Sequence, residues 1–173
     1  MPISARGTRI LKVNHAGENG AVHIYSGQIA MARWRAPHRI QELQLFQQHE
    51  LQHRAIFAAE LQRRGARRCY SYGLCGVGGY VLGCITGLLG ANAIAATTEA
   101  VEHVVLQHLH HQIAELQYND TAAAQAVERI MQDEQHHHDS AAAHATGSGF
   151  WRAVLIPIVA ASTQTVIWLG MHL

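Results

Sequence analysis

The stretch Leu43-Gln-Leu-Phe-Gln-Gln-His-Glu-Leu-Gln-His-Arg-Ala-Ile-Phe-Ala-Ala-Glu-Leu61 sets apolar residues at Leu43, Phe46, Phe57 and Leu61. Glu50 and His53 fall in the same register. The steps along Leu43, Phe46, Glu50, His53, Phe57 and Leu61 are 3, 4, 3, 4 and 4, one face of an α-helix. A glutamate and a histidine three apart therefore stand where apolar side chains belong. The pattern returns at Val127, Ile130, Glu134, His137, Ala141 and His144. Two further helical stripes each carry one glutamate. Glu18 lies among Leu11, Val22, Tyr25, Ile29 and Ala32, and Glu102 among Ala95, Thr98, Val105, Leu109, Ile113 and Leu116.

The spacings agree with one another. Glu18 to Glu50 is 32 residues, and so is Glu102 to Glu134. A single shift of 84 carries Glu18 onto Glu102, Glu50 onto Glu134 and His53 onto His137. It also carries Gln28-Ile29-Ala30 onto Gln112-Ile113-Ala114. The chain thus reads as two helical pairs related by an internal repeat. A lone Glu-x-x-His would say little, but three positions sharing one offset specify an arrangement.

Charge explains why these residues belong together. An ionised carboxylate inside a bundle is costly unless it is paired or bound to metal. Four together repel and cannot all ionise. Two divalent cations balance four carboxylates, and two neutral imidazoles complete the ligand set without adding charge. An oxygen-rich, histidine-poor set suits iron or manganese better than zinc or copper. The expected ligands are Glu18, Glu50, His53, Glu102, Glu134 and His137, and the expected fold is all-α, a ferritin-like four-helix bundle built from two repeated helix pairs.

Around this core, helices are predicted over 8–35, 38–64, 92–118 and 121–145. Pro37, Gly65 and the Asn119-Asp120 turn separate them. Thr146 to Gly149 reads as a linker, and the apolar segment 150–173 is expected to break at Pro157. Residues 69–98 contain no charged side chain and seven glycines. Gly73, Gly76, Gly78 and Gly79 crowd the first half, which favours an apolar loop or hairpin over one straight span. Gly79, Gly83 and Gly87 would line one face and permit close helix approach. Arg63, Arg64, Arg67 and Arg68 precede this segment and suit the anionic side of a lipid surface. Insertion into a membrane surface is expected, rather than a true span.

Composition fits that picture. The 173 residues are expected to form one domain, 1–173. Hydrophobic residues make up 49% and charged ones only 14%, so something covers apolar surface. A net charge of +1 argues against non-specific nucleic-acid binding. Cys69, Cys75 and Cys84 form neither a disulfide framework nor a CxxC site. The first residues, with Arg6, Arg9 and Lys12, lack the apolar core of a secretory signal. His49, His103, His136 and His138 are expected on other faces, solvated or supporting the ligands. The cluster His108, His110 and His111, near a helix end, is likewise expected to be solvated or to support the ligands. Tyr25 is read as either a ligand-supporting or a plain core residue.

The segment Val13-Asn-His-Ala-Gly-Glu-Asn-Gly-Ala-Val-His-Ile-Tyr-Ser-Gly-Gln28 resembles the first-helix signature of the demethoxyubiquinone hydroxylases. Gln48-His-Glu-Leu-Gln-His53, Ala100-Val-Glu102 and Asp133-Glu-Gln-His-His-His-Asp139 resemble that family's other motifs. His103 departs from it, since a second acid often follows the third glutamate. The resemblance implies two iron ions per chain, with Glu50 and Glu134 bridging. It implies hydroxylation of the ring of a polyprenyl quinone intermediate by dioxygen, one oxygen atom entering the ring and the other leaving as water. It further implies a peripheral membrane protein, on the cytoplasmic face in a bacterium or on the matrix side of the mitochondrial inner membrane. NADH, a reductase partner or the quinol itself could supply electrons, and an accessory lipid-presenting protein or a homo-oligomer stays open. Two rivals remain. A rubrerythrin-like ferroxidase or peroxidase would use the same ligands, and a non-enzymatic membrane protein would bind metal structurally. The missing CxxC pairs count against the first, and the 84-residue offset against the second.

Overall fold

In a computed structural model describing residues 3–145 and 149–172, the chain is all-α, with no strand among the described residues. Helix α1, Ala5–Arg35, begins where the Ser4 hydroxyl accepts a hydrogen bond from the Gly7 amide at 2.8 Å. It ends before Pro37, where a 3-10 turn, Pro37–Arg39, leads into α2, Ile40–Arg63. Helix α3 spans Tyr72–Leu89, and the chain reverses at Gly90 into α4, Ala91–Leu116. Gly90 has φ +98°, a conformation that favours glycine. Asp120 caps α5, Thr121–Glu128, by accepting from the Ala123 amide at 3.2 Å. Helices α6, Met131–His144, and α7, Gly149–His172, follow.

The buried residues of α2 are the six of the expected stripe. Helices α1, α2, α4 and the α5–α6 pair form the bundle. Side-chain contacts fix their directions. Asn19 meets Arg54 and Val22 meets Gln47, so α1 and α2 are antiparallel. Asn14 meets Gln112 and Tyr25 meets Glu102, so α1 and α4 are antiparallel as well. His53 meets Asp133 and Glu42 meets Ser140, so α2 and α6 are antiparallel.

Four local expectations are corrected. The helix expected over 121–145 is divided at Arg129 and Ile130, where the Ile130 amide bonds the Val127 carbonyl in a tightened turn. Neither glycine nor proline signals this. Residues 73–79 form no loop but the first turns of a continuous α3, and the reversal lies at Gly90. The glycines serve contact instead: a Cβ at Gly79 would strike the Gly20 carbonyl, and one at Gly83 the Ile24 carbonyl. A Cβ at Gly87 would lie 2.8 Å from the Met31 Cβ. Helix α3 therefore lies parallel on α1, backbone against backbone, which offsets the cost of glycine in a helix. Pro157 sits inside an unbroken α7. Packing on both sides of it holds the helix, with Arg152 bonded to Glu99 on α4 at 2.6 Å and Val159 buried. His144 is exposed rather than on the core face, because the buried stripe of α6 ends at Ala141. The expected linker falls outside the described residues apart from Gly149, which opens α7.

Two apolar clusters form the core. One gathers Ile10, Leu11, Phe57, Leu61, Leu109, Val127 and Ile130, and the other Tyr25, Ile29, Leu43, Phe46 and Ile94. Along α1 and α2 the charged stripe residues fall between them. At the first cluster's end, Asp120 ties three elements together. It accepts from Arg64 at 2.7 and 2.8 Å and from the Ser4 amide at 2.9 Å.

Outside the bundle, α3 and α7 each lie against α1 and α4. Both are long and apolar enough, by length and composition, to cross a bilayer. Their outer faces expose Leu74, Val77, Val81, Ile85, Phe150, Ile158 and Trp168.

Candidate metal centre

Each ligand candidate is placed by a helix register already described. Glu18 comes from α1, Glu50 and His53 from α2, Glu102 from α4, and Glu134 and His137 from α6. All six are buried, the most accessible being Glu18 at 6%. Their side chains converge in two overlapping groups. Glu18, Glu50, His53 and Glu134 form one; Glu50, Glu102, Glu134 and His137 form the other. Within each group the ligand atoms lie within 4.8 Å of one another. Glu50 and Glu134, related by the 84-residue repeat, belong to both.

The histidines face inward through Nδ1. His53 Nδ1 lies 3.0 Å from Glu134, 3.7 Å from Glu50 and 3.9 Å from Glu18. His137 Nδ1 lies 3.1 Å from Glu50 and 3.7 Å from Glu134. These contacts are close without hydrogen-bond alignment: both Nδ1 atoms, one oxygen of Glu50 and one of Glu134 are buried without a hydrogen-bond partner. Buried polar atoms are ordinarily satisfied. Orphaned atoms converging from α2 and α6, with the Glu18 and Glu102 carboxylates beside them, fit a centre filled by cations, and the group could hold a metal.

Electrostatics agrees. Burial, then Glu50 and Glu134, pushes the Glu18 carboxyl well above its ordinary value. Burial, then Glu134 and Glu50, does the same to Glu102. Burial alone would lower His53, but its contacts with Glu134 and Glu50 outweigh that and push it up to about 12. The same partners raise His137 to about 9 against the pull of burial. Burial would raise Glu50, yet His137 and His53 hold it well below the usual carboxylate range. Without metal, the cluster holds protons that a cation would displace.

Support comes from outside the six. The Tyr25 hydroxyl donates to Glu102 at 3.1 Å, so of the two readings of this residue the supporting one applies. His53 Nε2 meets Asp133 Oδ2 at 3.1 Å. His137 Nε2 meets His49 Nδ1 at 3.0 Å, and those two rings lie nearly parallel, with an interplanar angle of 12°. Asp133 was missed as a partner in the sequence. Its signal was the repeat itself, since Gln48-His49-Glu50 shifts onto Gln132-Asp133-Glu134. His103 is exposed, 5.9 Å from the His138 ring, and His136 packs its edge on Phe46. His108, His110 and His111 stand outside both groups.

The profile of the family described as ubiquinone biosynthesis protein COQ7 matches residues 5–170. The mitochondrial NADPH-dependent 3-demethoxyubiquinone 3-hydroxylase of Dictyostelium discoideum is 30% identical over 94% of this chain and 75% of its own length. The 3-demethoxyubiquinol 3-hydroxylase of Rhodospirillum rubrum is 30% identical over 94% and 76%. The mitochondrial NADPH-dependent enzyme of Homo sapiens is 31% identical over 95% and 77%.

Proposed function

The chain belongs to the family of the ubiquinone biosynthesis protein COQ7, and from that premise we propose that it is a di-iron monooxygenase that hydroxylates the ring of a demethoxyubiquinone or demethoxyubiquinol with dioxygen. One observation carries the metal part of this reading: two ligand groups that share Glu50 and Glu134. Glu18 and His53 would complete one iron position, and Glu102 and His137 the other. Two bound irons would supply the reduction of dioxygen that puts one oxygen atom on the ring and releases the other as water. The chain's own residues hold that chemistry in place. Glu50 and Glu134 would be shared by the two cations, Tyr25 orients Glu102, and the flanking apolar clusters keep bulk water out. Electrons would come from a nicotinamide nucleotide. The sequence pointed to NADH as one source, and the mitochondrial relatives are named NADPH-dependent.

The whole chain would act as one unit on a membrane surface. Helix α3 cannot cross a bilayer alone while it is packed backbone to backbone on α1, because α1 carries Glu18, Asn19 and Gln28. The exposed apolar faces of α3 and α7 would instead lie in the interface, where a polyprenyl substrate is dissolved. The test is a single turnover of iron-loaded, reduced protein with demethoxyubiquinol and isotopically heavy dioxygen, read by mass spectrometry. One heavy atom in the ring is expected. No incorporation, with two irons bound and reductant present, would overturn the hydroxylase reading in favour of a ferroxidase or peroxidase.

A further inference from the structure

The repeat makes the two halves of the centre equivalent in their ligands but not in what stands behind them. His53 and His137 both turn Nδ1 to the carboxylates, so both Nε2 atoms point outward to a partner. Those partners are Asp133 for His53 and His49 for His137, at positions 84 apart and each one residue before a shared glutamate. Each half thus supplies the partner of the other half's histidine. The exchange is the same in both directions, but one partner is a carboxylate and the other an imidazole.

Binding a cation through Nδ1 leaves the proton of each neutral ring on Nε2. His53 then donates to an anionic acceptor, in a charge-assisted hydrogen bond that makes its Nδ1 a stronger donor to metal. His137 donates to His49 Nδ1, which places the proton of His49 on Nε2. That bond is between neutral groups and polarises the ring less. The carboxylate ligands differ too. Tyr25 bonds Glu102, whereas the residue that the repeat sets opposite Glu18 is Leu109, which has no polar atom to offer.

We propose that Asp133 and His49 are the positioning residues that set the two cation positions apart, so that the group built on His53 holds a divalent cation more tightly than the group built on His137. The inference rests on the two-metal reading above. It explains an otherwise idle feature: Asp133 is 40% exposed and could be solvated, yet its Oδ2 is turned onto a buried ring. It also gives His49 a task other than filling space, since a hydrogen bond between two nearly parallel rings fixes the plane of that ligand.

The experiment is an anaerobic titration of chelator-treated protein with Co2+, followed by calorimetry and visible absorbance. Glu102→Gln, which strips a ligand from the His137 group alone, identifies the step belonging to that group. The wild-type chain should take two ions in two resolved steps, the His137 step being the weaker. Asp133→Asn should weaken the tighter step by roughly 10–100-fold and bring the two together. His49→Asp should tighten the weaker step by a similar factor and close the gap from the other side. The second variant is a gain, which mere damage to the fold would not produce. Two ions per chain with an unchanged gap in His49→Asp would overturn this inference and leave the two-metal centre standing. So would equal weakening of both steps in Asp133→Asn. Fewer than two ions per wild-type chain would overturn the two-metal reading, and this inference with it.

Discussion

Glu102→Gln should make the metal-free protein more stable while spoiling the centre. The ligand atoms of each group lie within 4.8 Å of one another. Two unit charges at that distance repel by about 3.5 kcal/mol at an effective dielectric of 20. The metal-free chain avoids part of this by keeping Glu102 protonated, since burial, Glu134 and Glu50 all push its carboxyl up. Holding that proton at neutral pH still costs stability. Glutamine keeps the shape and the oxygen that accepts from Tyr25, now at 3.1 Å, and removes the charge. Because protonation already relieves part of that repulsion, a gain of about 2 kcal/mol follows rather than the full Coulomb cost of about 3.5 or more. At about 2–4 °C per kcal/mol for a chain of this size, the metal-free melting temperature should rise by about 4–8 °C. The sign with pH is determined. A carboxyl whose folded pKa lies above its ordinary 4.5 costs nothing below that value and progressively more as pH rises. The gain should therefore be large at pH 8 and absent near pH 4. Calorimetry of chelated and Fe2+-loaded protein at several pH values is the assay. The metal-induced rise in melting temperature should shrink in the variant, because one anionic ligand is gone. A variant that melts no higher than wild type at pH 8 without metal, and keeps the full metal-induced rise, would refute the charge argument.

Glu134→Ala should lose both cations, since Glu134 belongs to both groups, whereas Glu18→Ala should leave one; iron analysis per chain distinguishes them. Asp120→Ala leaves the buried Arg64 guanidinium with Glu60 and Thr8 as its remaining partners and removes the cap of α5, and should cost about 2–4 kcal/mol in urea unfolding. Arg64 and the Ser4 and Ala123 amides hold Asp120 below its ordinary 3.8 against the effect of burial, so its contribution is present above that pH and lost as pH falls through the lowered value. Wild type and variant should converge in strong acid. Gly83→Ala drives a Cβ into the Ile24 carbonyl and should cost about 1–3 kcal/mol; unchanged stability would contradict the backbone seam between α1 and α3. Leu74→Glu with Val77→Glu, at side chains 73% and 67% exposed, should leave melting unchanged and cut co-sedimentation with anionic vesicles by roughly tenfold or more. Full binding by that variant would remove α3 from the membrane surface.

The convergence of the six candidates was legible because burial and chemistry share one periodicity. A glutamate in an apolar stripe at helical spacing faces the core, and four of them together are costly unless cations balance them. The offset of 84 then joined Glu18, Glu50 and His53 to Glu102, Glu134 and His137 without any knowledge of contacts. The helix ends at Pro37, Gly65 and Asp120 were likewise local facts, set by a fixed φ, a positive φ and a side-chain cap. Other features depended on partners distant in the chain. Glycines at 73–79 read as a loop by propensity, and only α1, more than 50 residues away, turns the bareness of Gly76 and Gly79 into a helix seam, against the Asn19 and His23 side chains and the Gly20 backbone. Pro157 read as a break, and only packing on α4 and α1 holds α7 in line on either side of it. The division at Ile130 has no local signal. Asp133 and His49 look like solvated neighbours of ligands until the folded bundle sets each behind a histidine of the other half. Periodicity reports which face of a helix is buried, but a hydrogen bond between helices depends on their register, and register is decided by the packing of the whole bundle.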